Sequence, residues 1–205
     1  MAFSVIAISR AAGAGGENLG QTLADEFGMR YVDSEIIDRA AERSGATRDD
    51  VADSEKRKGL LAKMLDNLAR SGAVAYDMGG AVAYAENLGP DYPHVIVDVI
   101  REVAAEGNCV LVAHGASHAL AGREDVLRIL VTASPATRAR RIEREHHGPG
   151  RARQSVEESD KARADFLKRF YGVNHEEATQ YDLVVNTDHL SVEKAAAAIK
   201  EIVKE

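Results

Sequence analysis

The chain has 205 residues, a net charge of −7, and 45% hydrophobic against 29% charged residues, the balance of an ordinary globular domain with one well-filled core. The acid excess argues against a general polyanion binder, and no apolar run approaches the roughly 18 residues of a membrane span. A lone Cys109 excludes an internal disulfide. Together with a start that enters a strand at once, without a basic and apolar leader, it predicts a small core residue in a reducing cytoplasm.

In chain order, FSVIAIS (3–9) is continuously apolar and β-branched, which predicts a strand covered on both faces. The glycine-rich stretch ISRAAGAGGENLG overlaps its end. Over 18–27, Leu19, Leu23, Ala24 and Phe27 form one helical stripe, closed by Gly28. MRYVD (29–33) reads as a short strand, and 34–44 as a helix with Ile36, Ile37, Ala40 and Ala41 inward, ended by Gly45. From 46 to about 89 the sequence turns rich in Ala and Gly, with helical patches at 60–68 and 73–88, so a helical insertion is expected over about 46–93. Its small residues permit close helix contact and make 60–88 the expected face of a homodimer. A helix over 95–105, the strand CVLVA (109–113) and the strand VLRILVT (126–132) follow. Ser134 and Pro135 supply an N-cap and first-turn proline to a helix running to about 147, which Gly148-Pro149-Gly150 breaks. A helix over 155–171, the strand DLVVN (182–186) and a helix over 191–203 complete the chain. Strands alternating with helices predict a single three-layer α/β domain with a mostly parallel five-stranded sheet.

The glycine stretch admits two readings. A dinucleotide-binding turn has G-x-G-x-x-G directly after its strand and an acidic residue about 20 positions on; here Ala11, Gly13 and Gly16 give a partial match, and Asp33 lies at that distance. A longer phosphate loop instead arches over its anion before entering the helix, and its successive amides form a nest to which the helix N-terminus adds partial positive charge. Arg10, Ala11 and Ala12 between the strand and Gly13 suit the longer loop. A plain strand-to-helix turn needs less glycine than this.

Arginine density is a second, independent signal. Arg138, Arg140, Arg141, Arg144, Arg151 and Arg153 crowd around the Gly-Pro-Gly break, a local cationic field in an acidic chain and the composition of a hinged lid over about 144–155. A solvated helix paired with Glu143 and Glu145 accounts for some of them. Over 155–171, Val156, Phe166, Leu167 and Phe170 form one inward stripe with Arg163 in its middle and Asp160 beside it. A guanidinium there requires a paired carboxylate, Asp160 being the nearest, or a bound anion. Asp33 ends the second strand at the sheet's carboxyl edge, where it can hold a metal, orient an acceptor oxygen or cap the next helix. Arg39 pairs readily with Glu35 one turn earlier. No histidine or cysteine set has zinc-ligand spacing.

Taken together, ISRAAGAGGENLGQTLADEFGMRYVDSEIIDRAAERSG, NCVLVAHGASHAL, ASPATRARRIERE, SDKARADF and YDLVVNTDHLSVEKA resemble, in order, segments of the cytidylate kinase-like family, a branch of the P-loop nucleoside monophosphate kinases. The resemblance is weakest between 46 and 93. It implies a P-loop fold with an arginine-rich lid, ATP and Mg²⁺ as cofactors, and transfer of the γ-phosphoryl group to a nucleoside monophosphate (CMP-like) or other small phosphorylated acceptor. On that pattern Gly13, Ala14, Gly15, Gly16, Glu17 and Asn18 hold donor phosphates, with Arg10 supplying charge. Asp33 organises metal or acceptor, and Arg39, Arg138 and Arg163 clamp acceptor phosphate and transition state. Asp160 and His114 contact substrate.

The chain departs from the pattern at four places. Gly16 stands at the lysine position and Asn18 at the hydroxyl position. Glu17 replaces an arginine that relatives usually carry beside the glycines, and Ala113 and His114 replace the Gly-Arg expected after the third strand. These losses keep open a nucleotide-binding sensor or scaffold without turnover, and the spacing of Asp33 keeps open an NAD(P)-dependent oxidoreductase. Neither nucleic acid nor membrane is an expected partner.

Overall fold

A computed structural model of the chain describes residues 3–43, 92–112, 115–146 and 151–204. The strands are β1 (Val5–Arg10), β2 (Arg30–Val32), β3 (Cys109–Val112), β4 (Val126–Thr132) and β5 (Leu183–Asn186). The helices are α1 (Gly16–Phe27), α2 (Glu35–Arg43), α3 (Tyr92–Glu106), α4 (Ala116–Ala119), α5 (Pro135–His146), α6 (Ala152–Tyr171) and α7 (Val192–Lys204), with a 3₁₀ turn at Ala178–Gln180. The sheet order is β2-β3-β1-β4-β5, and every neighbouring pair is parallel.

β1 is buried along its whole length because it is central and covered twice. Ile6 and Ile8 face a core with Leu19 and Leu23 of α1 and Ala196 and Ile199 of α7. Val5 and Ala7 face the opposite core, with Ile36 of α2 and Ile96, Ile100 and Val103 of α3. Helix, sheet, helix: the expected three-layer α/β architecture with a five-stranded parallel sheet is the one observed. α5 and α6 pack on each other through Ala139, Ile142, Ala152 and Val156 beside the carboxyl end of the sheet.

Three helices begin earlier than periodicity predicts, α3 among them at Tyr92. α1 starts at Gly16 because Gly15 takes a left-handed conformation, φ 83°, and turns the chain straight into the helix. α6 starts at Ala152, whose side chain belongs to the α5 contact. The short α4 had no periodic signal. Ser134 caps α5 as expected, its hydroxyl accepting from Thr137 N–H at 3.3 Å. Cys109 is the expected core residue; burial pushes its thiol up to about 11. Among the described residues no helix is long and apolar enough to cross a membrane. Nearly all of the expected insertion over 46–93, the 60–88 dimer face, His114 and the lid tip at 147–150 lie outside the described residues.

The strand order discriminates between the two readings of the glycine stretch. A dinucleotide fold runs 3-2-1-4-5-6, with β2 beside β1. Here β3 lies between them. The chain reverses direction across the sheet at β1, and that reversal places a ligand crevice at the carboxyl end of β1 and β4.

Candidate functional site

At that crevice β1 ends in Arg10, and residues 11–15 form an arch into α1. Ala11 N–H still pairs with Val131 O at 3.1 Å, and Ala14 N–H turns inward to Ala11 O at 3.0 Å. Ala14 was expected to offer its amide to phosphate with its neighbours; that donor is spent inside the arch. Gly13 is left-handed, φ 74°, and a Cβ there would lie 2.9 Å from Arg138 O, so α5 packs against bare backbone. The arch is held through its carbonyls. Arg163 Nη1 donates to Arg10 O at 3.0 Å, Arg138 Nη1 to Ala12 O at 3.4 Å, Arg141 Nη1 to Gly13 O at 3.2 Å, and Thr187 Oγ1 to Ala14 O at 2.8 Å. The first N–H groups of α1 have no carbonyl a turn behind them and carry the helix's partial positive charge.

Arg10 is 4% exposed. Its stem crosses the start of α1: a Cβ on Gly16 would lie 2.5 Å from Arg10 Cβ and 2.7 Å from its Cδ. The arginine thus fills the volume into which a side chain at the lysine position would grow. Its Nη2 meets Glu17 Oε1 at 2.9 Å. Glu17, a departure that would repel phosphate if it faced the arch alone, is turned onto a cation instead.

Beside the arch lies a cavity of about 310 Å³, walled by Ala11, Arg138, Asp160, Arg163, Leu167 and Glu176. Both arginines are buried, Arg163 as its helical stripe predicted, but its pairing differs from the expected one. Asp160 does not pair with Arg163. It takes a two-pronged pair from Arg138 of α5, 2.8 Å from Nη1 and 2.6 Å from Nη2, while Arg138 Nε donates to Ala133 O at 3.1 Å. Arg163 is paired with Glu176, Nε at 2.9 Å and Nη2 at 2.5 Å. Glu176 comes from the segment after α6, where no periodicity flags an inward residue.

Behind Glu176 stands a part-buried polar chain that the sequence did not reveal. Tyr181 hydroxyl donates to Glu176 Oε1 and lies 3.2 Å from His118 Nε2. A carboxylate only accepts, so the phenol proton goes to Glu176 and His118 donates from Nε2–H. Burial alone would raise the Glu176 carboxyl, but hydrogen bonds and charge from Arg163, with the Tyr181 hydroxyl, outweigh it and hold the carboxyl below its usual range. Burial lowers His118 below its ordinary 6.5, against the pull of Glu176. Both settings leave a charged Glu176 against Arg163 and a neutral imidazole behind it.

The remaining expected residues are not gathered here. Asp33 stands at the carboxyl edge, just past β2 and beyond β3, where its carbonyl accepts Ile36 N–H at 3.2 Å and starts α2. Arg39 is drawn to the other edge. Its guanidinium is 2.7 Å from Glu35 and 2.7 Å from Glu106, and Glu106 ends α3 just before β3 begins. Those contacts are the ion-pair reading of Arg39. Among the described residues no group of three or more His, Cys, Asp or Glu could cage a metal. Such a donor set fits Mg²⁺ only in its usual nucleotide form, where substrate phosphates and water supply most of the oxygens. The N–H groups that open α1, with guanidiniums around them, fit a polyphosphate.

Comparison with known proteins agrees with this geometry. A family model described as the cytidylate kinase-like family matches residues 5–189. A cytidylate kinase of Staphylothermus marinus is 25% identical over 204 residues, covering 98% of this chain and 96% of the relative. Among solved structures, an uncharacterised protein from Eubacterium ventriosum superimposes with TM-score 0.66 at 16% identity, with 98% of each chain covered. Shikimate kinase from Bacteroides thetaiotaomicron superimposes with TM-score 0.53 at 16% identity, again over 98% of each chain. At such identities the structural likeness speaks to the fold, and that fold is P-loop kinase-like.

Proposed function

The chain belongs to the cytidylate kinase-like family, and from its arch and arginines we propose that it binds ATP and transfers the γ-phosphoryl group to a nucleoside monophosphate, CMP-like, or another small phosphorylated acceptor. The observation that carries the reading is the convergence of Arg10, Arg138 and Arg163 on one glycine arch. Phosphoryl transfer needs little covalent help from protein; it needs alignment and charge where the equatorial oxygens become more negative.

In this reading the amides of Gly13, Gly15, Gly16, Glu17 and Asn18 hold the donor phosphates, and Arg10 supplies the charge a lysine would. Arg138 and Arg163, planar forks already desolvated, present paired donors to phosphate oxygens. Asp160 and Glu176 occupy those forks, so phosphate binding is an exchange of one anion for another. The acceptor enters the cavity beside the arch. Asp33, at the carboxyl edge, would hold Mg²⁺ through water or orient the acceptor, and the ion would supply positive charge against the donor phosphates. Arg39, at the other edge, has no part in this scheme.

The Arg10–Glu17 pair supports a second reading. It cancels the loop's own cation, which suits a nucleotide-binding sensor without turnover. The strand order speaks for phosphate-loop chemistry and against the oxidoreductase. Steady phosphoryl transfer from ATP to one member of a panel of monophosphates and small phosphorylated acceptors, abolished by Arg163→Ala, supports the kinase. Tight ATP binding without turnover on any acceptor refutes it in favour of the sensor.

A further inference from the structure

Thr187 and Arg141 belong to neither the cavity nor the expected substrate contacts, yet both end on the arch. Thr187 follows β5, is 3% exposed, and carries one hydroxyl proton. Its Oγ1 is 2.8 Å from Ala14 O and 3.3 Å from Thr132 O, and the shorter bond takes the proton. The same oxygen accepts from Arg141 Nη1 at 2.8 Å, while Arg141 Nη2 donates to Thr187 O at 2.6 Å. Arg141 Nη1 also reaches Gly13 O at 3.2 Å. The guanidinium therefore fixes the hydroxyl, and the hydroxyl fixes the arch.

The consequence follows from the planarity of the peptide. The carbonyl of residue 14 and the N–H of residue 15 lie in one plane and point in opposite directions. A hydroxyl that holds Ala14 O on the α7 side aims Gly15 N–H into the arch. Arg138 does the same for Gly13 N–H through Ala12 O. We infer that Thr187, locked by Arg141, is a positioning residue that orients the Gly15 amide for polyphosphate binding. This rests on the arch being a polyphosphate cradle.

Thr187→Val keeps the shape and removes the hydroxyl; Thr187→Ser keeps the hydroxyl. Calorimetric titration with ATP and with inorganic tripolyphosphate, well below each variant's unfolding onset, separates the roles. Thr187→Val is expected to weaken both ligands in parallel by about tenfold, one oriented donor being worth about 1.4 kcal/mol, and Thr187→Ser to restore both. A merely structural threonine would lower the unfolding temperature of Thr187→Val and leave both affinities at the parental value, which overturns the inference. Loss of ATP affinity alone, with tripolyphosphate unchanged, also overturns it, because the arch touches only phosphates. A parental chain that binds neither ligand overturns the cradle itself, and the positioning role with it.

Discussion

The replacement of the loop lysine by Gly16 makes a quantitative demand on Arg10. An ordinary carbon–carbon contact lies near 3.5–4.0 Å, so a methyl group on residue 16, at 2.5 Å from Arg10 Cβ, overlaps the stem by about 1 Å. The stem is buried at the end of a central strand and cannot swing away. Overpacking of this kind costs about 1–3 kcal/mol. Removing glycine's freedom from the unfolded chain, at a helical position with ordinary φ, returns about 0.4–1 kcal/mol. Gly16→Ala should therefore lose about 1–2 kcal/mol, and Gly16→Lys at least as much, with the ammonium forced out of the arch. Arg10→Gly vacates the space. The swap Arg10→Gly with Gly16→Lys should be more stable than the sum of its single changes by about 1–2 kcal/mol, the coupling expected of two residues in contact. Urea titration of the parent, both single variants and the double variant measures that coupling, and tripolyphosphate titration shows whether the lysine then serves the arch. A Gly16→Ala chain that unfolds at the parental denaturant concentration with the parental slope would refute the claim that Arg10 occupies the lysine's place.

Two further outcomes follow from the same contacts. Glu17 is 47% exposed and caps Arg10 at 2.9 Å; Glu17→Gln should raise tripolyphosphate affinity about two- to fivefold, the range of an exposed ion pair, and less so at high salt. Equal affinities at both ionic strengths would remove Glu17 from the account. His118 has its folded value held below the ordinary 6.5 by burial, so the unfolded chain binds the extra proton first. Its contribution to stability is whole above about 6.5 and is lost as pH falls below it. His118→Asn should flatten the loss of unfolding free energy between about pH 6.5 and 5 relative to the parent; an unchanged slope would show that the histidine does not titrate with folding.

The sheet was legible because its strands are short, β-branched and bounded by glycine, and because the burial of both faces leaves continuous apolar runs such as 3–9. The glycine spacing admitted a phosphate arch beside a dinucleotide turn, and the strand order separates them; Arg163 was legible from its place on an apolar stripe. What sequence could not supply was pairing. Asp160 is nearer to Arg163 along the helix than to Arg138, yet the α5–α6 contact through Ala139 and Val156 brings Arg138 to it. Glu176 and Thr187 sit in irregular segments where neither a period of 3.6 nor one of 2 marks the inward side. For Arg39 the i,i+4 spacing to Glu35 marked one of its two ion-pair partners, while Glu106 lies on another helix. Glu17, a departure from the family pattern in sequence, is matched in the fold by Arg10 against it.

These pairings bear on why a glycine arch can dispense with its lysine. Three of the four guanidiniums at the arch have a carboxylate of their own: Arg10 has Glu17, Arg138 has Asp160 and Arg163 has Glu176, while Arg141 is held by Thr187. A lysine at position 16 would be a compact, strongly hydrated charge on a flexible stem, recruited to the phosphates only when they arrive. Arg138 and Arg163 are recruited beforehand, because Asp160 and Glu176 hold their planar forks open in the geometry that a phosphate's two oxygens also require. The protein thereby avoids burying a lone cation without ligand, and it keeps the carbonyls of Arg10 and Ala12 bonded whether or not an anion is present, since Arg163 and Arg138 hold them by a separate nitrogen or by one shared with the carboxylate. The cost falls on affinity, as every incoming oxygen displaces one already bound. An arch of this kind gains little from a singly charged anion and most from a chain of phosphates that meets several forks and amides together, which is the chemical character of a nucleotide's polyphosphate tail.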